Sequence, residues 1–106
     1  MNYFEHMCSM AGYQAKTTFW DDFTIAEVFG KEAIEDTYEC AFTEWKSNYE
    51  FLTEFVLVLN WKCWEHYEKG DTEISEIYSN LYYKADGYAL DNLKDNELDY
   101  YIRTTN

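Results

Sequence analysis

From Tyr49 to Lys69 the chain runs 21 residues without a glycine or a proline. Wound into a helix, that segment has apolar side chains on nearly every side. Leu52, Phe55, Val56, Leu59, Cys63 and His66 share one stripe, while Leu57, Val58, Trp61 and Trp64 fall on other faces. A helix apolar all round is stable in water only when it is enclosed, either by the rest of its own chain or by a partner. This one is therefore expected at the centre of the fold. It stops at Gly70, with Lys69 placed where a cation favours a helix C-terminus.

The rest of the chain also reads as helix. There is no proline, and Gly12, Gly30, Gly70 and Gly87 are the natural punctuation. Between Gly30 and Trp45, Ile34, Tyr38, Ala41 and Trp45 recur at helical spacing on one face, with Glu32, Glu35, Asp36 and Glu39 on the opposite one. Ser47-Asn48 reads as a turn or cap before the central helix. Asp71 and Thr72 are cap candidates for a third helix carrying Ile74, Ile77, Tyr78, Leu81 and Ala85, which is expected to bend or end near Gly87. A terminal helix from about Asn96 would use Leu98, Tyr101 and Ile102. Near the N-terminus, Phe4, Met7 and Cys8 suggest one or two turns. Asp21 or Asp22 would cap a short helix that buries Phe23, Ala26 and Val28 or Phe29. Only Lys16-Thr17-Thr18-Phe19-Trp20 is suited to extended structure. The expected fold is all-α, a compact bundle of four to six helices forming a single domain over residues 1–106 around the central helix at 49–69.

Composition narrows the partners. Twenty-one Asp and Glu face eight Lys and Arg, a net charge of −13, yet 21% of the 106 residues are aromatic. Disordered acidic chains lack aromatics, so the acid is expected outside a packed core. With a single arginine (Arg103) and scattered lysines there is no basic patch to neutralise phosphates, which argues against direct nucleic-acid and membrane-surface binding. The longest apolar run is far short of the about 20 residues that cross a bilayer. Three cysteines, an odd number, and an N-terminus without a secretory pattern favour reduced thiols and a cytoplasmic protein.

Three kinds of chemistry are weighed against packing. His6 and Cys8, together with Cys63 and His66, supply the donor types of a tetrahedral zinc site. Their spacing matches no zinc motif, and Cys63 and His66 already continue an apolar stripe. A bundle-core carboxylate centre needs Glu-x-x-His pairs, and none is present. Nucleophilic catalysis needs an electropositive thiol environment that a charge of −13 opposes, and no hydrolase, phosphate-loop or metalloprotease motif occurs. The expectation is no enzyme, no cofactor and no bound metal.

The stretch Ala11-Gly12-Tyr13 through Thr17-Thr18-Phe19-Trp20-Asp21-Asp22-Phe23, then Ile25-Ala26, Phe29-Gly30, Ala41-Phe42 and Glu44-Trp45-Lys46, resembles small acidic helical proteins encoded by gut anaerobes and their mobile elements. The resemblance implies an accessory or mobile-element role and assigns no site residue.

The functional expectation is an acidic, non-enzymatic protein-interaction module that self-associates through a surplus apolar face of the central helix, formed by Val58, Trp61 and Trp64. The alternative is a nucleic-acid mimic. Carboxylates three and four residues apart, as in Glu32, Glu35, Asp36 and Glu39, lie about 5–6 Å from one another, near the spacing of backbone phosphates. Such a face would enter a basic protein groove. A small metalloprotein is the third reading.

Overall fold

The computed structural model describes residues 2–106, which form six helices and no strand. They are α1 (Tyr3–Ala11), α2 (Phe19–Phe29), α3 (Lys31–Trp45), α4 (Tyr49–Glu68), α5 (Thr72–Asn92) and α6 (Asp95–Thr105). Asn48 and Asp71 cap where the sequence places them. Asp21, Asp22 and Asn96 do not: α2 begins after Thr18 and α6 after Lys94, so all three lie inside their helices. Asn2, Asn48 and Asp71 each accept a backbone N–H from the first turn of α1, α4 and α5. Such caps satisfy donors that a helix start otherwise leaves unpaired. Gly30 forms the corner between α2 and α3 at φ 109°, a region that side chains with a Cβ adopt only under strain.

Helix α4 touches all five other helices, whereas α2 packs mainly on α3 and α4. The resulting body has a radius of gyration of 13.1 Å, the size expected of about 100 residues around one core. Every residue from Leu52 to Leu59 is buried, polar Thr53 and Glu54 included. At the centre, the Phe55 ring meets Phe19, Phe23, Tyr38 and Phe42 at centroid distances of 5.2–6.3 Å. Edge-to-face and tilted contacts of this kind add to the burial of large rings. No described helix is long and apolar enough to cross a membrane.

Of the surplus apolar face expected on α4, only Trp64 reaches the surface. Val58 is fully buried and Trp61 is 6% exposed. Helix α1 and the end of α6 do the covering: Phe4 lies 5.9 Å from the Trp61 ring, and Met7, Met10, Thr104 and Thr105 line the same recess. Trp64, one turn beyond, remains half-exposed.

Two boundaries and one burial also differ. Helix α5 runs through Gly87 because Ala85 and Ala89, on either side of it, are completely buried. Their packing offsets the roughly 1 kcal/mol that an internal glycine costs. Phe19 and Trp20 begin α2 instead of extending the preceding loop, and both are buried. One of Val28 and Phe29 is expected inside, and both are exposed.

Candidate functional site

The outer side of the α2–α3 hairpin carries the largest apolar exposure. Ile25, Val28 and Phe29 are 62%, 81% and 77% exposed. At i, i+3 and i+4 they are neighbours on one helix face, opposite the buried Phe23 and Ala26. The surroundings are acidic. Residues 19–45 hold eight of the 21 acids against a single lysine, Lys31. Glu32, Glu35, Asp36 and Glu39 are all exposed, and they lie across α3 from the buried Ile34 and Tyr38. Asp22 of α2 and Asp36 and Glu44 of α3 line a shared groove floored by Phe19, Ala41 and Trp45. A smaller apolar patch lies at the end of α4, where Trp64 and Tyr67 pack edge to face at 5.7 Å.

Beneath these surfaces lie two buried ionic networks. In the first, the Glu54 carboxylate accepts hydrogen bonds from the Tyr13 hydroxyl (2.8 Å), the Lys16 N–H (2.7 Å), the Thr17 N–H (2.9 Å) and the Thr17 hydroxyl. One side chain of α4 thereby fastens the entire 13–17 connection. Burial, and then the bond to Glu54, push the Tyr13 phenol well above its usual range.

The second network joins α2, α4 and α5. The buried Lys62 ammonium donates to Thr24 Oγ1 (2.6 Å), pairs with Glu27 Oε2 (2.9 Å) and lies 4.1 Å from the Trp20 ring. Tyr78 donates to the same Glu27 Oε2 (2.6 Å), and burial followed by this bond raises its pKa strongly. His66 Nε2 faces the other carboxylate oxygen, Glu27 Oε1, at 2.9 Å and Glu65 Oε1 at 3.7 Å, while Nδ1 faces Asp71 Oδ2 at 3.6 Å. Neither ring nitrogen makes a hydrogen bond.

The sequence-derived metal set is not assembled. Cys63 Sγ lies 3.4 Å from Ser75 Oγ, His6 is exposed on α1, and Cys8 is half-buried. The Cys8 thiol is raised by burial and by the charges of Glu54 and Glu5, the opposite of activation. Among the described residues the converging metal-type donors are Glu27, Glu65 and His66, with one ligand atom from each lying within 4.8 Å of the others. Of the four donors weighed from the sequence, only His66 belongs to that group.

Sequence reasoning missed Glu27, Glu54 and Lys62. A signal was present: Glu54 and Lys62 interrupt the most apolar stretch of the chain, where a charge is tolerated only if it is paired. Ile25, Val28 and Phe29 were missed because α2 alternates apolar residues around its whole circumference. Comparison with protein-family models, curated proteins and solved structures yields no match.

Proposed function

We propose that this chain is a non-enzymatic protein-interaction module whose binding surface is the outer side of the α2–α3 hairpin. The carrying observation is the Ile25–Val28–Phe29 stripe, three large apolar side chains exposed side by side amid carboxylates. Scattered apolar residues on a surface are ordinary, whereas a contiguous stripe rimmed by charge is the composition of a binding patch. The acidic rim selects the partner. A second copy would bring Asp21, Asp22 and Glu32 against their own equivalents, and like charges across an interface are costly. A partner offering an apolar recess edged by Lys and Arg meets both features.

A charge-led variant of this reading, nucleic-acid mimicry, uses the same surface. It is favoured by the simultaneous exposure of Glu32, Glu35, Asp36 and Glu39 on one face of α3. The two readings differ in which residues matter. The partner is captured from the native host, identified by mass spectrometry and purified, and its binding to the chain is measured directly. Val28→Ser with Phe29→Ser is expected to weaken binding at least about tenfold while moving stability by less than about 0.5 kcal/mol. Changing the four α3 acids to Gln is expected to slow association and flatten the salt dependence. Mimicry instead predicts that the Gln variant abolishes binding and the Ser variant leaves it intact. A homodimer in sedimentation that the Ser variant dissolves would replace both readings with self-association.

A further inference from the structure

We infer that Glu27, Glu65 and His66 form a binding site for one divalent transition-metal ion of the zinc type, bridging α2 and α4. The inference goes beyond the interaction surface and is independent of it. Its starting point is His66, whose side chain is 9% exposed and whose two ring nitrogens have no hydrogen-bond partner. A buried polar group in that condition is unusual and calls for a reason. Nε2 approaches Glu27 Oε1 to 2.9 Å with no hydrogen bond between them, close enough for both atoms to serve one ion. Glu65 Oε1 is 3.7 Å from the same nitrogen. Ligands bound at about 2.0–2.2 Å in a tetrahedron are spaced roughly 3.3–3.6 Å apart, and the two observed separations straddle that range.

The surroundings repeat the pattern. Metal-bound imidazoles typically turn their second nitrogen to a carboxylate, and ligating carboxylates are themselves held by hydrogen bonds. Here Nδ1 faces Asp71. Glu27 Oε2 is held by Lys62 and Tyr78, which fixes the carboxylate and leaves Oε1 directed at His66. Lys62 is the competing cation, and its contacts define its place. It sits against Thr24, the Trp20 ring and Oε2, and it reaches Glu65 Oε1 only at 3.7 Å. It neutralises one of the three carboxylates around His66. Lys69 approaches Glu65 from open solvent and is largely screened. The excess negative charge that remains suits a dication. Imidazole with two carboxylates selects a borderline metal such as Zn²⁺ or Co²⁺ over Mg²⁺ or Ca²⁺.

The test is titration of the purified, untagged chain with Zn²⁺ against a chromophoric chelator, and with Co²⁺ followed by visible absorption. One ion per chain is expected, with an intense tetrahedral Co²⁺ band. Glu65→Gln and His66→Gln should each weaken Zn²⁺ at least about tenfold, whereas His6→Gln, Cys8→Ser and Glu32→Gln should leave it within about twofold. Because the chain has only two histidines, NMR of the wild-type imidazoles gives a reading independent of any variant's folding. Zn²⁺ should shift His66 and leave His6 in place. Absence of stoichiometric binding, binding indifferent to both Gln variants, or a shift at His6 alone would overturn the site.

Discussion

Glu54 and Glu27 are both carboxylates on helices of the same small core, and they are held in opposite ways. Glu54, fully buried, is surrounded by donors: two backbone amides, a phenol and a hydroxyl converge on it from one loop. Every partner is local to the 13–17 connection and each is matched. Glu27 sits at the edge of a cluster that includes a lysine, a tyrosine, a second glutamate and an imidazole without a hydrogen bond. The contrast separates a fastening from a site. A network whose every member is satisfied rigidifies a fold, while one with an unmatched buried member has capacity left for a ligand.

The largest effect that tests this contrast is expected at Glu54. Glu54→Ala leaves four donors of the half-buried 13–17 connection without their shared acceptor and should cost about 3–5 kcal/mol in urea unfolding. The 13–17 segment should become the first point of proteolytic cleavage. A loss below about 1 kcal/mol would mean that the loop is held by Phe19 and Trp20 alone and that the fastening is incidental.

Lys62→Ala ranks next, at about 2–4 kcal/mol, because it leaves the Glu27 carboxylate without its cation beside Glu65. Tyr78 still donates to Glu27, which sits nearer to water than Glu54 does, so the loss should be the smaller of the two. Combining Lys62→Met with Glu27→Gln should recover part of it, since an apolar and neutral pair removes both desolvation costs. Recovery in the double variant together with loss of Zn²⁺ binding would place the cluster's purpose in the ligand instead of in stability.

The smallest effect appears only in alkali. Tyr13 and Tyr78, one on each carboxylate, and Tyr38, pushed up to about 12 by burial and then by Glu39, all hold their protons longer in the folded chain. A raised folded pKa contributes stability that is intact below the unfolded value near 10 and is lost as pH rises through the folded one. Stability should therefore be flat up to about pH 10 and decline above it. Tyrosinate absorbance should show the exposed phenols titrating near pH 10 and the buried ones ionising only together with the loss of helical circular dichroism. Early ionisation of Tyr78 alone, followed by NMR, would show that the Glu27 cluster opens locally while the Glu54 fastening holds.

What could be read from the chain and what could not divide along the same physical line. The helices were legible because their causes are local. Asn48 and Asp71 cap where their side chains reach the next turn, and Ile34 and Tyr38 share a face at helical spacing. The enclosure of residues 52–59 was legible too, since no exposed helix tolerates apolar side chains on all sides. Glu32, Glu35, Asp36 and Glu39 proved as exposed as their face of α3 implied.

Which residues meet across the core was not legible, because that depends on packing angles between helices that no local pattern encodes. Phe4 and the α6 terminus cover Trp61, so the apolar surface belongs to Ile25, Val28 and Phe29 on α2. Lys16 and Thr17 reach Glu54 across 37–38 positions of sequence, and Lys62 finds Thr24 across 38. By itself the sequence determined an acidic helical bundle around residues 49–69, because periodicity, caps and the need to bury apolar area act at short range. Only the tertiary structure decided that Glu27, Glu65 and His66 converge and which apolar face stays in water, since a small change in how two helices cross reassigns both.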